Sequence, residues 1–212
     1  MARKSSVVDQ DATNPVTNFQ PTRGKGLLEP LLARLRANRA NQLMPISLRD
    51  GRILDVGCGS YPYFLSHTSF QEKFAIDQTN ISKDFKGINW YSLDLNASPV
   101  LPFPDGYFTV VTMLAVIEHL DPTKLVTLFS EAYRVLQPGG LVIITTPAAW
   151  SDRLLHWMAG LNLVSTEEIE EHAFAYTLPL IGWYFGRAGF SLDKLDFGYF
   201  ELMLNLWATA MR

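Results

Sequence analysis

Short apolar segments alternate with helix-forming or turn-forming stretches between Arg52 and Thr145, and this alternation constrains the fold more than any other feature of the chain. Five of these segments are predicted to be strands, at 52–56, 73–76, 88–93, 108–114 and 141–145. Strands that are almost continuously apolar are typical of a parallel sheet with both faces covered. The sequence therefore predicts an α/β fold with helices on each side of the sheet.

Helical spacing and capping residues predict where the flanking helices lie. Leucines recur on one side of residues 26–42 and arginines on the other, which predicts an amphipathic helix with a solvated basic face. The leucines are Leu28, Leu31, Leu32 and Leu35, and the arginines are Arg34, Arg36 and Arg39. A second helix begins at Asp121-Pro122, where an N-cap residue precedes a first-turn proline, and it must end before Pro138.

The alternation pauses over residues 148–176, which are rich in Trp, Leu and Glu. The apolar side chains of this segment form a stripe at helical spacing, which fits either additional core or a lid over the sheet. A helix over 178–188 follows. Two further strands are predicted at 192–197 and 203–211, joined near Gly198.

Composition limits the class of protein and of partner. A chain of 212 residues, 48% hydrophobic and 18% charged, fits one globular domain, which we place at 23–212 after a flexible polar tail at 1–22. A net charge of −3 provides no basic surface for nucleic acid. No apolar run approaches the ~18 residues of a membrane span. With one cysteine and no apolar leader, we expect a cytoplasmic location.

Acidic residues and glycines mark the ends of the first three predicted strands. Asp55 precedes Gly57-Cys58-Gly59, where glycines allow a sharp turn and a close approach of backbone to ligand. Asp77 follows the second strand, where a carboxylate can accept both hydroxyls of a ribose, and Asp94 follows the third. Each of the two also fits an ordinary turn or capping aspartate. Together the three acids favour a nucleoside-binding site.

The dinucleotide fingerprint G-x-G-x-x-G is the competing interpretation of the glycine turn. Its third glycine brings helix and strand close together beside a pyrophosphate, but Pro62 occupies that position here. A nicotinamide-dependent oxidoreductase is therefore the less favoured alternative.

Four motifs resemble those of class I S-adenosylmethionine (AdoMet)-dependent methyltransferases, of small-molecule type. They are Ile53-Leu54-Asp55-Val56-Gly57-Cys58-Gly59, Leu101-Pro102-Phe103-Pro104-Asp105-Gly106-Tyr107-Phe108, Val116-Ile117-Glu118-His119-Leu120 and Arg134-Val135-Leu136-Gln137-Pro138-Gly139-Gly140-Leu141. The resemblance implies a Rossmann-like three-layer sandwich with a seven-stranded, mostly parallel sheet whose last strand is antiparallel. It also implies AdoMet as the cofactor.

By position, the resemblance assigns most of the cofactor site. Gly57 and Gly59 would face the methionine part of AdoMet with Asp55 beneath them, Asp77 would hold the ribose, and Asp94 and Leu95 would flank the adenine. Cys58, Gln78 and Leu114 complete the predicted cofactor-binding set, and no metal site is predicted. The chain departs from the family pattern at Tyr61, where many members have a third glycine, and at Thr109, where many have aspartate.

His119 is the candidate general base, because it follows the fourth strand at the mouth of the predicted cleft. A structural role near the start of the next helix is the alternative. Glu118 beside it fits either orientation of a ligand or exposure to solvent. The aromatic residues Phe174, Tyr176, Trp183 and Tyr184 suit an apolar, aromatic or sugar acceptor. A non-catalytic AdoMet-binding partner module remains an alternative function.

Overall fold

The computed structural model describes residues 27–79, 85–151, 161 and 174–212. Within them, a 7-stranded sheet has the order β3-β2-β1-β4-β5-β7-β6. Its strands are β1 (Arg52–Val56), β2 (Glu72–Asp77), β3 (Ile88–Ser92), β4 (Phe108–Leu114), β5 (Leu136–Pro147), β6 (Leu195–Phe200) and β7 (Asn205–Met211). β7 is antiparallel to both of its neighbours, and the other pairs are parallel. The predicted α/β sandwich with an antiparallel last strand is confirmed.

Four helices flank the sheet in the described part of the chain: α1 (Glu29–Leu43), α2 (Tyr63–Ser66), α3 (Pro122–Val135) and α4 (Leu178–Arg187). Asp121 caps α3 as predicted, since its side chain accepts a hydrogen bond from the backbone N–H of Thr123 at 2.9 Å. α3 ends at Val135, before Pro138 can break it.

Two apolar clusters fill the two sides of the sheet. One contains side chains of α3 and α4, including Leu125, Phe129 and Phe185, and the other contains Ala37 and Ala40 of α1 with Phe64 and Leu65 of α2. Strand order reverses between β1 and β4, because β1 continues to β2 on one side while β4 continues to β5 on the other. In open α/β sheets, ligands bind beyond the carboxyl ends of the strands at such a reversal.

The predicted apolar face of α1 is wrong. Leu31 and Leu35 are 50% and 37% exposed, whereas Ala37, Ala40 and Met44 are buried. The small alanine side chains allow the C-terminal half of the helix to lie close to the sheet, so that half provides the contact. Nor is the basic face fully solvated: the Arg39 guanidinium lies 5.3 Å from the centre of the Trp207 ring.

The predicted junction of the last two strands at Gly198 is also wrong. Gly198 lies inside β6 opposite Trp207, where an added Cβ would lie 2.6 Å from the indole ring. The glycine therefore makes room for the ring within the sheet rather than forming a turn. The turn lies at Glu201, Leu202 and Met203, which all adopt positive φ. Residues 192–194 form a 3₁₀ turn before β6 rather than its first residues.

The predicted tail at 1–22 and most of the predicted lid at 148–176 lie outside the described residues. The two ends of the lid segment are described, and they meet in a bridge between Ala148 and Tyr176. In the described part of the chain, no helix is long and apolar enough to cross a membrane. The same residues contain no group of three or more His, Cys, Asp or Glu side chains able to hold a metal ion.

Candidate active site

The chain turns sharply after β1 through two glycines in the left-handed region. Gly57 and Gly59 both have φ of +72°, which glycine adopts at little cost. An added Cβ at Gly57 would lie 2.5 Å from Cγ2 of Val116, so this glycine also admits the segment that follows β4. At Gly59 an added Cβ would meet no atom within 4 Å. The turn therefore presents bare backbone to open space at the strand reversal.

Asp77, at the end of β2, holds this turn in place. Its Oδ2 accepts a hydrogen bond from the Gly59 N–H at 2.9 Å, and its Oδ1 accepts one from the Thr79 N–H at 2.8 Å. Asp77 therefore has the turn role considered for it, and a carboxylate is the type of group that accepts hydrogen bonds from ribose hydroxyls.

Asp55 lies beneath the turn and is almost fully buried. Burial raises the pKa of its carboxyl from 3.8 to about 7, the hydrogen bond from Thr112 acts against this rise, and the negative charge of Asp77 adds to it. The Thr112 hydroxyl donates to Asp55 Oδ1 at 2.6 Å. A carboxyl with a pKa near neutrality ionises readily when a cation is placed beside it.

The segment after β4 closes over the glycine turn. Ala115 has a φ of 56° and donates its N–H to Thr145 of β5, after which Val116 packs against Gly57. Asn96 anchors the other end of the segment, because its side-chain amide donates to the His119 carbonyl at 3.3 Å and accepts from the Asp121 N–H at 3.0 Å. The predicted catalytic segment is thus fixed at both ends.

Glu118 and His119 occupy this segment in different environments. Glu118 is 1% exposed, so the alternative that it faces solvent is wrong. The Thr146 hydroxyl donates to its Oε2 at 3.0 Å. Burial raises the pKa of the Glu118 carboxyl, and the charges of His119 and Arg36 act against that rise. His119 is half-buried in a 3₁₀ turn and donates its backbone N–H to Val116.

The remaining predicted residues differ in how closely they approach the turn. Leu93 donates its N–H to the Asp77 carbonyl, which brings the end of β3 beside β2. Asp94 forms the capping interactions, since its Oδ1 accepts from the N–H groups of Asn96 and Ala97. Leu95 is buried in the core and Gln78 is exposed. The other two residues, Cys58 after β1 and Leu114 at the end of β4, are half-buried.

Comparison with known proteins identifies the family. A family model described as a methyltransferase domain matches residues 27–195. The chain belongs to this methyltransferase family. Because the family is one of methyltransferases, the nicotinamide-dependent oxidoreductase considered above is rejected. AdoMet is the cofactor of this methyltransferase.

Individual relatives agree with the assignment. The methyltransferase is 48% identical over 48 residues to a probable AdoMet-dependent methyltransferase of Mycolicibacterium smegmatis, a match spanning 22% of this chain and 18% of the relative. Its fold resembles that of an AdoMet-dependent methyltransferase of Archaeoglobus fulgidus, with a TM-score of 0.64 and 17% identity over 85% of this chain and 94% of the other. Haemonchus contortus phosphoethanolamine N-methyltransferase 2, crystallised with AdoMet, gives a TM-score of 0.60 and 16% identity over 84% and 52%.

The residues at the turn fit AdoMet. The space beyond Gly59 admits a ligand against bare backbone, and the Asp77 carboxylate, an acceptor for hydroxyl donors, lies beside it. Tyr61, which stands where many members have a third glycine, packs its ring 6.3 Å from that of Tyr63 and 5.6 Å from that of Phe85. This departure from the family pattern adds an aromatic wall beside the turn of the methyltransferase.

Sequence reasoning missed the residues that support the site from other elements. They are Asn96, Thr112, Val116 and Thr146. A hydroxyl within an otherwise apolar strand, as at Thr112, is a weak signal of a buried polar partner. Val116 looks like an ordinary apolar core residue in the sequence, so no pattern there distinguishes it.

Proposed function

We propose that this methyltransferase transfers the methyl group of AdoMet to a small molecule that enters over the carboxyl ends of β4 and β5. The observation that supports the proposal is the hydrogen bond from the Gly59 N–H to the Asp77 carboxylate, which lies beside open space. In the proposed binding mode, Asp77 with Gln78 holds the ribose. Asp94 and Leu95 flank the adenine. The methionine part lies along the glycine turn.

Other residues complete the proposed cofactor contacts. Gly57, Cys58 and Gly59 would supply backbone to the methionine part, with Leu114 at the end of β4 bounding the same space. Asp55 beneath the turn would face the methionine ammonium group, whose positive charge favours the ionised carboxylate. A pKa of about 7 makes that ionisation inexpensive near neutral pH.

The chemistry depends chiefly on alignment. AdoMet supplies a methyl group on a positively charged sulfur, and the chain must orient the acceptor and exclude water, with alignment alone worth up to ~7–11 kcal/mol. His119 is proposed as the base that accepts a proton from the acceptor, because it lies in the fixed segment between β4 and α3 and is half-buried.

We further propose that residues 148–176 form a partial lid over the acceptor, since the described ends of this segment meet beside β5. The exposed Trp150, Phe174 and Trp183 near this segment suit an apolar, aromatic or sugar acceptor. Residues 1–22 are proposed as a flexible tail before a single domain. The proposed cellular location is the cytoplasm.

Titration calorimetry with AdoMet, with its demethylated product and with NAD tests the proposed site. Asp77→Ala should weaken AdoMet binding by ~1.5–3 kcal/mol, the usual contribution of hydrogen bonds to a charged group. Glu72→Gln is the matched control, because Glu72 lies at the opposite end of β2 in an exposed ion pair with Arg52. Unchanged AdoMet affinity in Asp77→Ala would refute the ribose assignment. AdoMet binding without turnover of any acceptor would instead favour a non-catalytic partner module.

A further inference from the structure

Two buried oxygen atoms on the α3 and α4 side of the sheet, near the carboxyl ends of β4 and β5, lack a hydrogen-bond partner among the described residues. They are Oε1 of Glu118 and the hydroxyl oxygen of Tyr176. Both residues are 1% exposed. Together with Thr146, which donates to the other oxygen of Glu118, these residues form what we name the Glu118 cluster.

The packing of these side chains gives no structural reason for the cluster. A buried carboxyl with one unsatisfied oxygen costs about 1–3 kcal/mol or more, and an apolar residue of similar size would avoid that cost. Two such atoms on two separate segments would therefore destabilise the fold without a compensating contact. Unsatisfied buried groups of this kind are characteristic of functional sites, where a ligand provides the missing partner.

The cluster lies on the acceptor side of the site. Glu118 is two residues beyond Val116, the side chain that packs on Gly57 of the cofactor turn. Thr146 is the penultimate residue of β5, and Tyr176 is bridged to Ala148 directly after that strand. Every member is therefore supplied by a segment that borders the proposed entrance of the acceptor.

The electrostatic environment of the cluster favours a cation. The carboxylates of Glu118 and Asp121 both act to raise the pKa of the Tyr176 hydroxyl, after burial, the largest cause, and the neighbouring Tyr184. Arg36 and His119 oppose this negative field at Glu118, but Arg36 also acts on the partly buried Glu201. One arginine thus serves two buried carboxyls, and the Glu118 oxygen retains its capacity to accept a hydrogen bond.

Aromatic rings line the approach to these groups. The ring of Tyr176 lies 6.3 Å from that of Tyr184, and Tyr184 lies 5.1 Å from the ring of Trp183, which is largely exposed. Aromatic faces attract organic cations in addition to burying apolar surface. A carboxylate beside such rings is the arrangement expected for binding an ammonium group.

We propose that the acceptor is an amine, held through its nitrogen by the Glu118 cluster and methylated on that nitrogen. This inference rests on the proposed function, in that it places the acceptor at the ends of β4 and β5. The ammonium donates one N–H to Glu118 Oε1 and one to the hydroxyl of Tyr176. These contacts satisfy both buried oxygens and leave one N–H for His119.

The methyl transfer balances for this acceptor. The ammonium first gives one proton to the half-exposed His119, which passes it to water. The nitrogen lone pair then forms the new N–C bond as the C–S bond breaks, and the sulfur keeps the bonding electron pair. The product leaves as a methylated ammonium ion, so the net reaction releases one proton.

Sets of compounds that share a skeleton and differ in one functional group test the proposal. The sets are phenethylamine with phenethyl alcohol and phenylacetate, butylamine with butanol and butyrate, and glucosamine with glucose. Each compound is titrated calorimetrically into the full chain saturated with S-adenosylhomocysteine, and methyl-labelled AdoMet reports turnover. We expect the amine of at least one set to bind at least ~10-fold more tightly than its partners and to be methylated on nitrogen.

Glu118→Gln should weaken the binding of that amine by ~10–100-fold and lower kcat/KM similarly, while AdoMet affinity stays unchanged. Glu72→Gln is the control and should change neither. If Glu118→Gln fails to fold, Tyr176→Phe, which removes only an unpartnered hydroxyl, should show weakened amine binding in a folded protein.

Two outcomes separate the proposals. If the wild type does not bind AdoMet, the proposed function itself is overturned. Normal AdoMet binding overturns the amine inference if no amine binds better than its matched alcohol in any set, if methylation occurs on oxygen, or if the variants at Glu118 and Tyr176 bind the amine as the wild type does.

Discussion

Two carboxyl groups are buried near the site, that of Asp55 in β1 and that of Glu118 in the segment after β4, and burial raises the pKa of both. Each is partly compensated by one hydroxyl donor, Thr112 for Asp55 and Thr146 for Glu118. Neither donor satisfies the whole carboxylate. Residues of this kind reduce the stability of the free protein, and a ligand that brings positive charge recovers part of the loss.

Asp55→Asn should stabilise the free protein, and more at about pH 8 than at about pH 5. Below pH 3.8 the Asp55 carboxyl is protonated in both the folded and the unfolded state. Between pH 3.8 and about 7 only the folded state keeps the proton, so the free energy of unfolding of the wild type falls as pH rises through that window. Above the folded-state pKa, the buried carboxylate lowers the free energy of unfolding by an amount on the order of 4 kcal/mol. Urea denaturation at both pH values measures it, and an equal effect at both would contradict the burial argument. AdoMet affinity should fall in the same variant.

His119→Ala should lower the rate ~10²–10⁴-fold if the acceptor must lose a proton, because that is the usual contribution of a general base. AdoMet affinity should change little, since the proposed cofactor contacts lie at the ends of β1, β2 and β3 and at Leu114. Initial rates with methyl-labelled AdoMet, together with AdoMet titration calorimetry, for wild type and variant provide the measurement. A variant that does not fold would support the structural alternative for His119.

The glycine turn after β1 depends on an element distant in sequence. Gly57 and Gly59 share a φ of +72°, but only Gly57 lies against Val116 of the segment after β4. Periodicity within β1 and α2 provides no information about that contact. In the same way, Gly198 looks like a turn residue in the sequence but lies inside β6 because the Trp207 ring of β7 occupies the space above it.

Gly57→Ala should therefore destabilise the protein more than Gly59→Ala does. Both substitutions force alanine into the left-handed region at about 1–2 kcal/mol, and only the first adds overpacking against Val116, at about 1–3 kcal/mol. Urea denaturation of the two variants isolates the contact, because the backbone strain is matched. The double variant Gly57→Ala with Val116→Ala should recover part of the difference. Equal destabilisation by the two single variants would show that the Val116 side chain moves aside with no loss of stability.

Across the whole molecule, the first described helix and the C-terminal hairpin are joined over the sheet. Arg39 of α1 lies over the Trp207 ring of β7 and donates to the Tyr199 carbonyl of β6 at 3.4 Å. The helix is thereby anchored by its C-terminal half, which also buries Ala37 and Ala40. Its first turns contribute little to the core, since Leu31 and Leu35 are exposed.

Deletion of residues 1–20 should leave both the melting temperature and the AdoMet affinity nearly unchanged. This polar segment contains too little apolar surface to offset the entropy of ordering it. Thermal denaturation and calorimetry of the shortened chain provide the test. A marked loss of either property would show that the segment docks on the domain.

The strand pattern from Arg52 to Thr145 and the acids at the strand ends determined the α/β fold and placed Asp55, Gly57, Gly59 and Asp77 at one edge, because apolar runs and turn residues are local signals. The contacts that complete the candidate site could not be predicted in this way. Pairing of β1 with β4 brings Thr112 beside Asp55, 57 residues away, and pairing of β4 with β5 brings Thr146 to Glu118, 28 residues away. The exposed face of α1 and the position of Gly198 were likewise decided by packing between distant elements, for which sequence periodicity carries no signal.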